Sequence, residues 1–153
     1  MLSKVLEMLQ RKTTLEIDKD GKPSAEEAKI ATAALLFSIA GSDSDFAPEE
    51  IQASYLALAM QFSLNDKETM EIMTKAELAF KEQEKIDPFV ELINKSYTDK
   101  QRQLIFCMAW QIIIADRRIE NHEQKFASEL RVRLQLTREQ AEEAKKMVFE
   151  GAI

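Results

Sequence analysis

An all-α domain of about seven or eight helices is the expected architecture, built from two pseudo-repeated units of helix, acidic loop and helix. Composition is the first reason. The 153 residues include only 3 Gly and 3 Pro, while Ala, Leu, Met, Glu, Lys and Gln abound, side chains that lose little rotamer freedom in a helical turn. Spacing is the second, because apolar residues recur three and four positions apart along most of the chain, the period of a helix with one buried face. The third is a series of helix-start signatures in which Ser, Asn or Thr stands three residues before Glu or Gln.

Taken in order, Leu2, Val5, Leu6 and Leu9 place an amphipathic helix over residues 2 to 12. Asp18-Lys19-Asp20-Gly21-Lys22-Pro23 then reads as a turn or loose linker, so the chain divides into an N-terminal helix and linker (1–23) and a helical domain (24–153). Ser24-Ala25-Glu26-Glu27 is expected to open a helix running to about Gly41, whose second half is apolar nearly all round and therefore buried. Pro48 suits the first position of the next helix, with Ile51, Tyr55, Leu58 and Phe62 as its apolar stripe. Asn65 and Glu68 cap a third, carrying Ile72, Met73, Ala76, Ala79 and Phe80. Asp87-Pro88 begins a short helix with Phe89, Val90, Leu92 and Ile93. Thr98 and Gln101 cap another nearly all-apolar one, with Leu104 to Ala115 as its buried stretch, expected to pack against the Ile30 to Ala40 helix. Phe126, Ala127, Leu130 and Leu134 mark an amphipathic helix, and Thr137 and Gln140 cap the last, with Ala141, Ala144 and Val148.

Charge and cysteine content bound the function. A net charge of −6 argues against nucleic acid as a partner, since such binding rests on Lys and Arg neutralising phosphates. The C-terminal basic residues are interspersed with glutamates and read as a solvated face. A single cysteine, Cys107, excludes an internal disulfide and fits a reducing, cytoplasmic setting. The residues after Met1 lack the apolar core of a secretory signal, and Leu104 to Ala115 is too short for a transmembrane segment, which needs about 20 residues. Catalysis lacks parts: Gly21, Gly41 and Gly151 form no phosphate loop, and His122, the lone histidine, has no nucleophile partner in sequence. The chain is therefore expected to bind rather than to catalyse.

The two halves register on each other. Asp43, Phe46 and Glu50 stand 73 positions before Asp116, Ile119 and Glu123, and Leu58, Phe62 and Leu64 stand 72 before Leu130, Leu134 and Leu136. A duplicated unit accounts for this economically. The segments Ile39-Ala40-Gly41-Ser42-Asp43-Ser44-Asp45-Phe46-Ala47-Pro48-Glu49-Glu50 and Ile114-Ala115-Asp116-Arg117-Arg118-Ile119-Glu120-Asn121-His122-Glu123 resemble the paired acidic motifs of the TerB (tellurite-resistance protein B) family, over roughly residues 28 to 148, and lie closest to its uncharacterised TerB-like branch. The resemblance implies an all-helical fold, a cytoplasmic, stress-linked, non-enzymatic role, acidic loops that take a divalent cation, and partners that include a TerC-like membrane protein. The family's Gly after the first Asp is Ser44 in one copy and Arg117 in the other, and its second Asp is Ala47 in the first copy. These departures weigh against metal binding, and tellurite resistance does not transfer by name.

Asp43, Asp45, Glu49 and Glu50 crowd four carboxylates into eight positions, and such charges repel unless something relieves them. One reading is a hard cation, Ca²⁺ or Mg²⁺, held by oxygen ligands. The other is that Glu49 and Glu50 sit in a helical first turn, favoured by the helix dipole, while Asp43 and Asp45 are solvated. An EF-hand is excluded, because counting from Asp43 its required Gly is Pro48 and its closing Glu is Ser54. In the second copy Asp116, Glu120 and Glu123 are the candidates, with Arg117 and Arg118 beside them as countercharges. Cys107 is expected in the core. Besides the cation, a protein partner is expected, and a homo-oligomer is compatible with the sequence.

Overall fold

The computed structural model describes residues 14–40, 48–83, 85–115 and 121–150. Among these residues every regular element is a helix: α1 (Glu26–Ala40), α2 (Pro48–Phe62), α3 (Asp66–Gln83), α4 (Asp87–Ser96), α5 (Asp99–Ile113), α6 (Asn121–Arg133) and α7 (Arg138–Phe149). The all-α expectation therefore holds. The helix expected over residues 2–12 lies outside the described residues.

Two helices form the centre. Apart from Phe37, α1 is buried continuously from Ala31 to Ala40, and α5 from Gln103 to Trp110 and again at Ile112 and Ile113. Helices so apolar on every side need partners all round. Accordingly α1 packs against α2, α3, α4 and α5, while α5 packs against α1, α2, α6 and α7. The expected contact between the two apolar helices is present, although each lies more extensively against an amphipathic neighbour, α1 on α3 and α5 on α7. The buried hydroxyls within α1 are satisfied inside the helix: Thr32 Oγ1 donates to the Ala28 carbonyl at 2.8 Å and Ser38 Oγ to that of Leu35 at 2.6 Å, the local bonding that lets such residues sit in a core helix.

Helix ends follow the sequence signatures with one exception. Asn65 and Glu68 bond reciprocally at the start of α3, as do Thr98 and Gln101 at α5 and Thr137 and Gln140 at α7. The exception is Ser24. Rather than capping α1, its hydroxyl donates to the carbonyl of Leu15, and α1 starts at Glu26. That bond closes residues 15–24 into a loop in which Ile17 faces Pro23 in an isolated bridge. Asp18 Oδ1 accepts from the amides of Asp20 and Lys22, and Gly21 supplies the positive φ of 78° that the turn requires. The loop is fastened to the helices: Leu15 is fully buried, and Gln101 Nε2 donates to the carbonyls of Thr14 (2.8 Å) and Ile17 (2.6 Å).

The C-terminal ends of α2 and α6 are built alike. Ser63 and Gln135 both take left-handed backbone, with φ of 51° and 60°. The amides of Leu64 and Leu136 reach back to the carbonyls of Ala59 (2.9 Å) and Arg131 (3.1 Å), the closing bond of a Schellman turn. Each turn leads directly into a capping box, Asn65 in one case and Thr137 in the other.

Candidate functional site

Of the seven acidic candidates, Asp43, Asp45, Asp116 and Glu120 lie outside the described residues. The other three stand in first turns: Glu49 and Glu50 in α2 and Glu123 in α6. Glu49 is exposed. Glu50 is only 2% exposed and Glu123 3%. Both are engaged by interactions within the chain, as a carboxylate taken out of water requires. Each is the third residue of its helix, where amide dipoles favour negative charge.

The buried faces of these helices explain the placement. On α2 the buried residues are Glu50, Ser54, Leu58 and Phe62, and on α6 the described ones are Glu123, Ala127 and Leu130, followed by Leu134 just past the helix end. The apolar stripe expected through Ile51 and Tyr55 is thus rotated. Ile51 is exposed and Tyr55 half-buried, with its hydroxyl donating to Asp66 Oδ1. Apolar periodicity misassigned this turn because the two inward positions nearest the acidic segment, Glu50 and Ser54, are polar. Ser54 Oγ donates to the Glu50 carbonyl at 2.9 Å, which satisfies the hydroxyl without a partner on another helix.

Beside each buried glutamate's helix lies a cleft. The first, about 350 Å³, runs between α1, α2 and α3 and is lined chiefly by Phe37, Ile51, Leu58, Met70 and Met73. The second, about 250 Å³, lies between α5, α6 and α7, with Phe106, Trp110, Arg131, Arg138 and Lys145 on its walls. Edge-to-face aromatic pairs flank both, Phe37 with Phe80 at 5.9 Å and Trp110 with Phe149 at 5.6 Å. They differ in polarity. Lys145 Nζ sits 5.1 Å from the Trp110 ring centre, whereas the first cleft is mainly apolar, with Ser54, Thr74 and Glu77 as its polar lining. No sequence signal marked either cleft, since each arises where three helices diverge.

Among the described residues no group of three or more His, Cys, Asp or Glu side chains converges as a metal site, so a cation centre has to draw on the acidic segments themselves. Cys107 is buried as expected. Its thiol faces the Ala144 carbonyl at 3.8 Å, and burial pushes its pKa up to about 12, which removes it as a nucleophile at neutral pH. The side chain of His122 lies outside the described residues.

The family model for tellurite resistance protein TerB matches residues 29–146, a span that runs from α1 into α7 and includes both acidic segments. The chain belongs to the TerB family. No curated protein and no solved structure matches it. The family span begins inside α1 and leaves out the 14–25 loop, which in this TerB-family chain is bonded to α5 through Gln101. No helix of the described residues is long and apolar enough to cross a membrane.

Proposed function

We propose that this TerB-family chain is a non-enzymatic, cytoplasmic binding protein whose two acidic segments take up a divalent cation, Ca²⁺ or Mg²⁺, weakly. The observation that carries the reading is the pair of buried carboxylates, Glu50 and Glu123, at matching first-turn positions of α2 and α6. Each follows closely in sequence on an acidic segment, Glu50 on Asp43 and Asp45 and Glu123 on Asp116 and Glu120. Glu49 adds an exposed carboxylate to the first. Hard cations prefer such oxygen donors, and without the glycine turn of an EF-hand the affinity falls in the range of weak sites, about 10⁻⁴ to 10⁻³ M. The first segment is the stronger site, because Arg117 and Arg118 neutralise the second.

Descent of the two halves from one duplicated unit is part of the same reading. It is supported by the paired left-handed turns at Ser63 and Gln135, the capping boxes that follow them and the paired buried glutamates. A thermal-melt screen tests the cation. A ligand that binds only the folded state stabilises it by RT ln(1 + [L]/Kd), so 10 mM Ca²⁺ against a 1 mM site contributes about 1.4 kcal/mol, roughly 3–6 °C for a chain of this size. A flat melting temperature across Ca²⁺, Mg²⁺, Mn²⁺ and Zn²⁺ would sink the cation reading.

The second reading is a constitutive helical scaffold that recognises a protein or a membrane-associated partner, such as a TerC-like protein, without metal. The apolar cleft between α1, α2 and α3 favours it, because Ile51 and Met70 are exposed at its mouth, an arrangement suited to apolar side chains of a partner.

A further inference from the structure

In a chain of net charge −6, the cleft between α5, α6 and α7 gathers positive charge. Arg131 stands on its α6 wall and Arg138 and Lys145 on its α7 wall, facing a single lining carboxylate, Glu142. None of the three cations makes an ion pair with a described residue. Arg131 is half-buried, and its Nη1 donates to the Leu136 carbonyl at 3.1 Å, which steadies the guanidinium while Nε and Nη2 find no acceptor among the described residues. Lys145 Nζ lies 5.1 Å from the Trp110 ring centre and 5.8 Å from that of Phe149, so its charge rests on aromatic rings rather than on a carboxylate. Trp110 itself is 4% exposed, and its indole Nε1 is a buried donor without an acceptor, whereas a buried indole N–H ordinarily has one.

We propose that this cleft is a binding site for a small organic anion, one aromatic or compact apolar group carrying a carboxylate or a phosphate. The apolar body lies against Phe106 and Trp110, and the headgroup takes the free N–H groups of Arg131 together with Arg138, since a guanidinium fork matches the oxygens of either anion. Lys145 turns from the indole toward the headgroup, opening the ring to an oxygen that accepts from the unpartnered indole N–H. Size narrows the class. At about 250 Å³ the cleft falls below the roughly 300–1,000 Å³ of ordinary ligand pockets, which admits a single ring and leaves no room for a nucleotide. The site draws on no residue of the acidic segments and needs no cation, so it stands or falls apart from the cation reading.

Trp110 is the only tryptophan of the chain, so its fluorescence reports on this cleft alone. With the full chain at fixed ionic strength, because exposed cations are screened by salt, benzoate and phenyl phosphate are each expected to give a saturable change. The Kd should be on the order of 1 mM, ordinary for ligands of about ten non-hydrogen atoms, and the tighter of the two identifies the headgroup. Arg131→Gln and Arg138→Gln are each expected to weaken binding about tenfold, as loss of one charge-assisted hydrogen bond does. The Arg138 side chain is exposed and bonds to no described residue, so its variant keeps the fold even if Arg131→Gln disturbs the turn at Leu136. An Arg138→Gln titration identical to the parent's would overturn the site. Benzyl alcohol binding as tightly as benzoate would reduce it to an apolar cleft, and inorganic phosphate matching phenyl phosphate would remove the aromatic floor; either result contradicts the proposal. So does the absence of any saturable change from the parent at about 20 mM, well above the expected Kd. A response to poly-glutamate in place of the small anions would overturn it in favour of an acidic protein surface.

Discussion

Two aromatic positions, Trp110 and Phe37, separate what periodicity reveals from what it misses. Trp110 is 4% exposed, and Trp110→Ala is expected to cost about 3–5 kcal/mol, as truncating a core aromatic does. Phe37 stands in the equally apolar Ile30 to Ala40 stretch, yet it is half-buried on the wall of the first cleft. Phe37→Ala should therefore cost less, about 1–2 kcal/mol, and urea midpoints of the two variants will rank them. Burial also raises the Tyr97 hydroxyl and the Cys107 thiol from 10.0 and 9.0 to about 12. An acid with a raised folded-state pKa favours the folded state below its unfolded pKa and loses that contribution as pH climbs toward the folded value. Stability is thus expected to be level up to about pH 9 and to fall between pH 9 and 12. Tyr97→Phe should flatten the part above pH 10, and an unaltered profile in that variant would argue against the buried hydroxyl. The glutamates teach the converse lesson. Glu50 and Glu123 were legible as acidic candidates, but their burial was not, because the apolar pattern of α2 pointed to Ile51 and a buried carboxylate leaves no mark in hydrophobic spacing.

Helices were easier to read than the segments between them. The starts of α2, α3, α4, α5 and α7 follow Pro48, Asn65, Asp87-Pro88, Thr98 and Thr137, each a local chemical signal acting within four residues. Ser24 carried the same signal and was overruled by a contact nine residues away, the Leu15 carbonyl, which no local pattern encodes. Gln101 serves both levels at once: its Oε1 accepts from the Thr98 amide while Nε2 holds the carbonyls of Thr14 and Ile17. Gln101→Ala is accordingly expected to cost about 2 kcal/mol or more, above the roughly 1 kcal/mol typical of a cap alone. Thr137→Ala, which removes only a cap, is the comparison, and equal losses would mean the loop bonds contribute nothing. At Gln135 the left-handed backbone is strained for any residue with a Cβ. Gln135→Gly should therefore stabilise α6 by up to about 1 kcal/mol, read as a higher denaturation midpoint.

Across the whole molecule, α1 and α5 form a buried centre, and each hands the chain to an acidic segment and then to a helix that opens with an inward glutamate. The described residues bury the first-turn carboxylates of Glu50 and Glu123 and keep the sole thiol buried. The family was legible because both acidic motifs and their separation survive in the sequence. The clefts were not, since they depend on how three helices splay. Isothermal calorimetry with Ca²⁺ tests the central claim most directly, on the parent, on Asp43→Asn with Asp45→Asn, and on Asp116→Asn with Glu123→Gln. The account predicts heat in the parent with a Kd of about 10⁻⁴ to 10⁻³ M, lost in the first double variant and largely kept in the second. No cation-dependent heat from the parent at several-millimolar Ca²⁺, on the order of the weakest such sites, would contradict it and leave the acidic segments as helix starts on a scaffold.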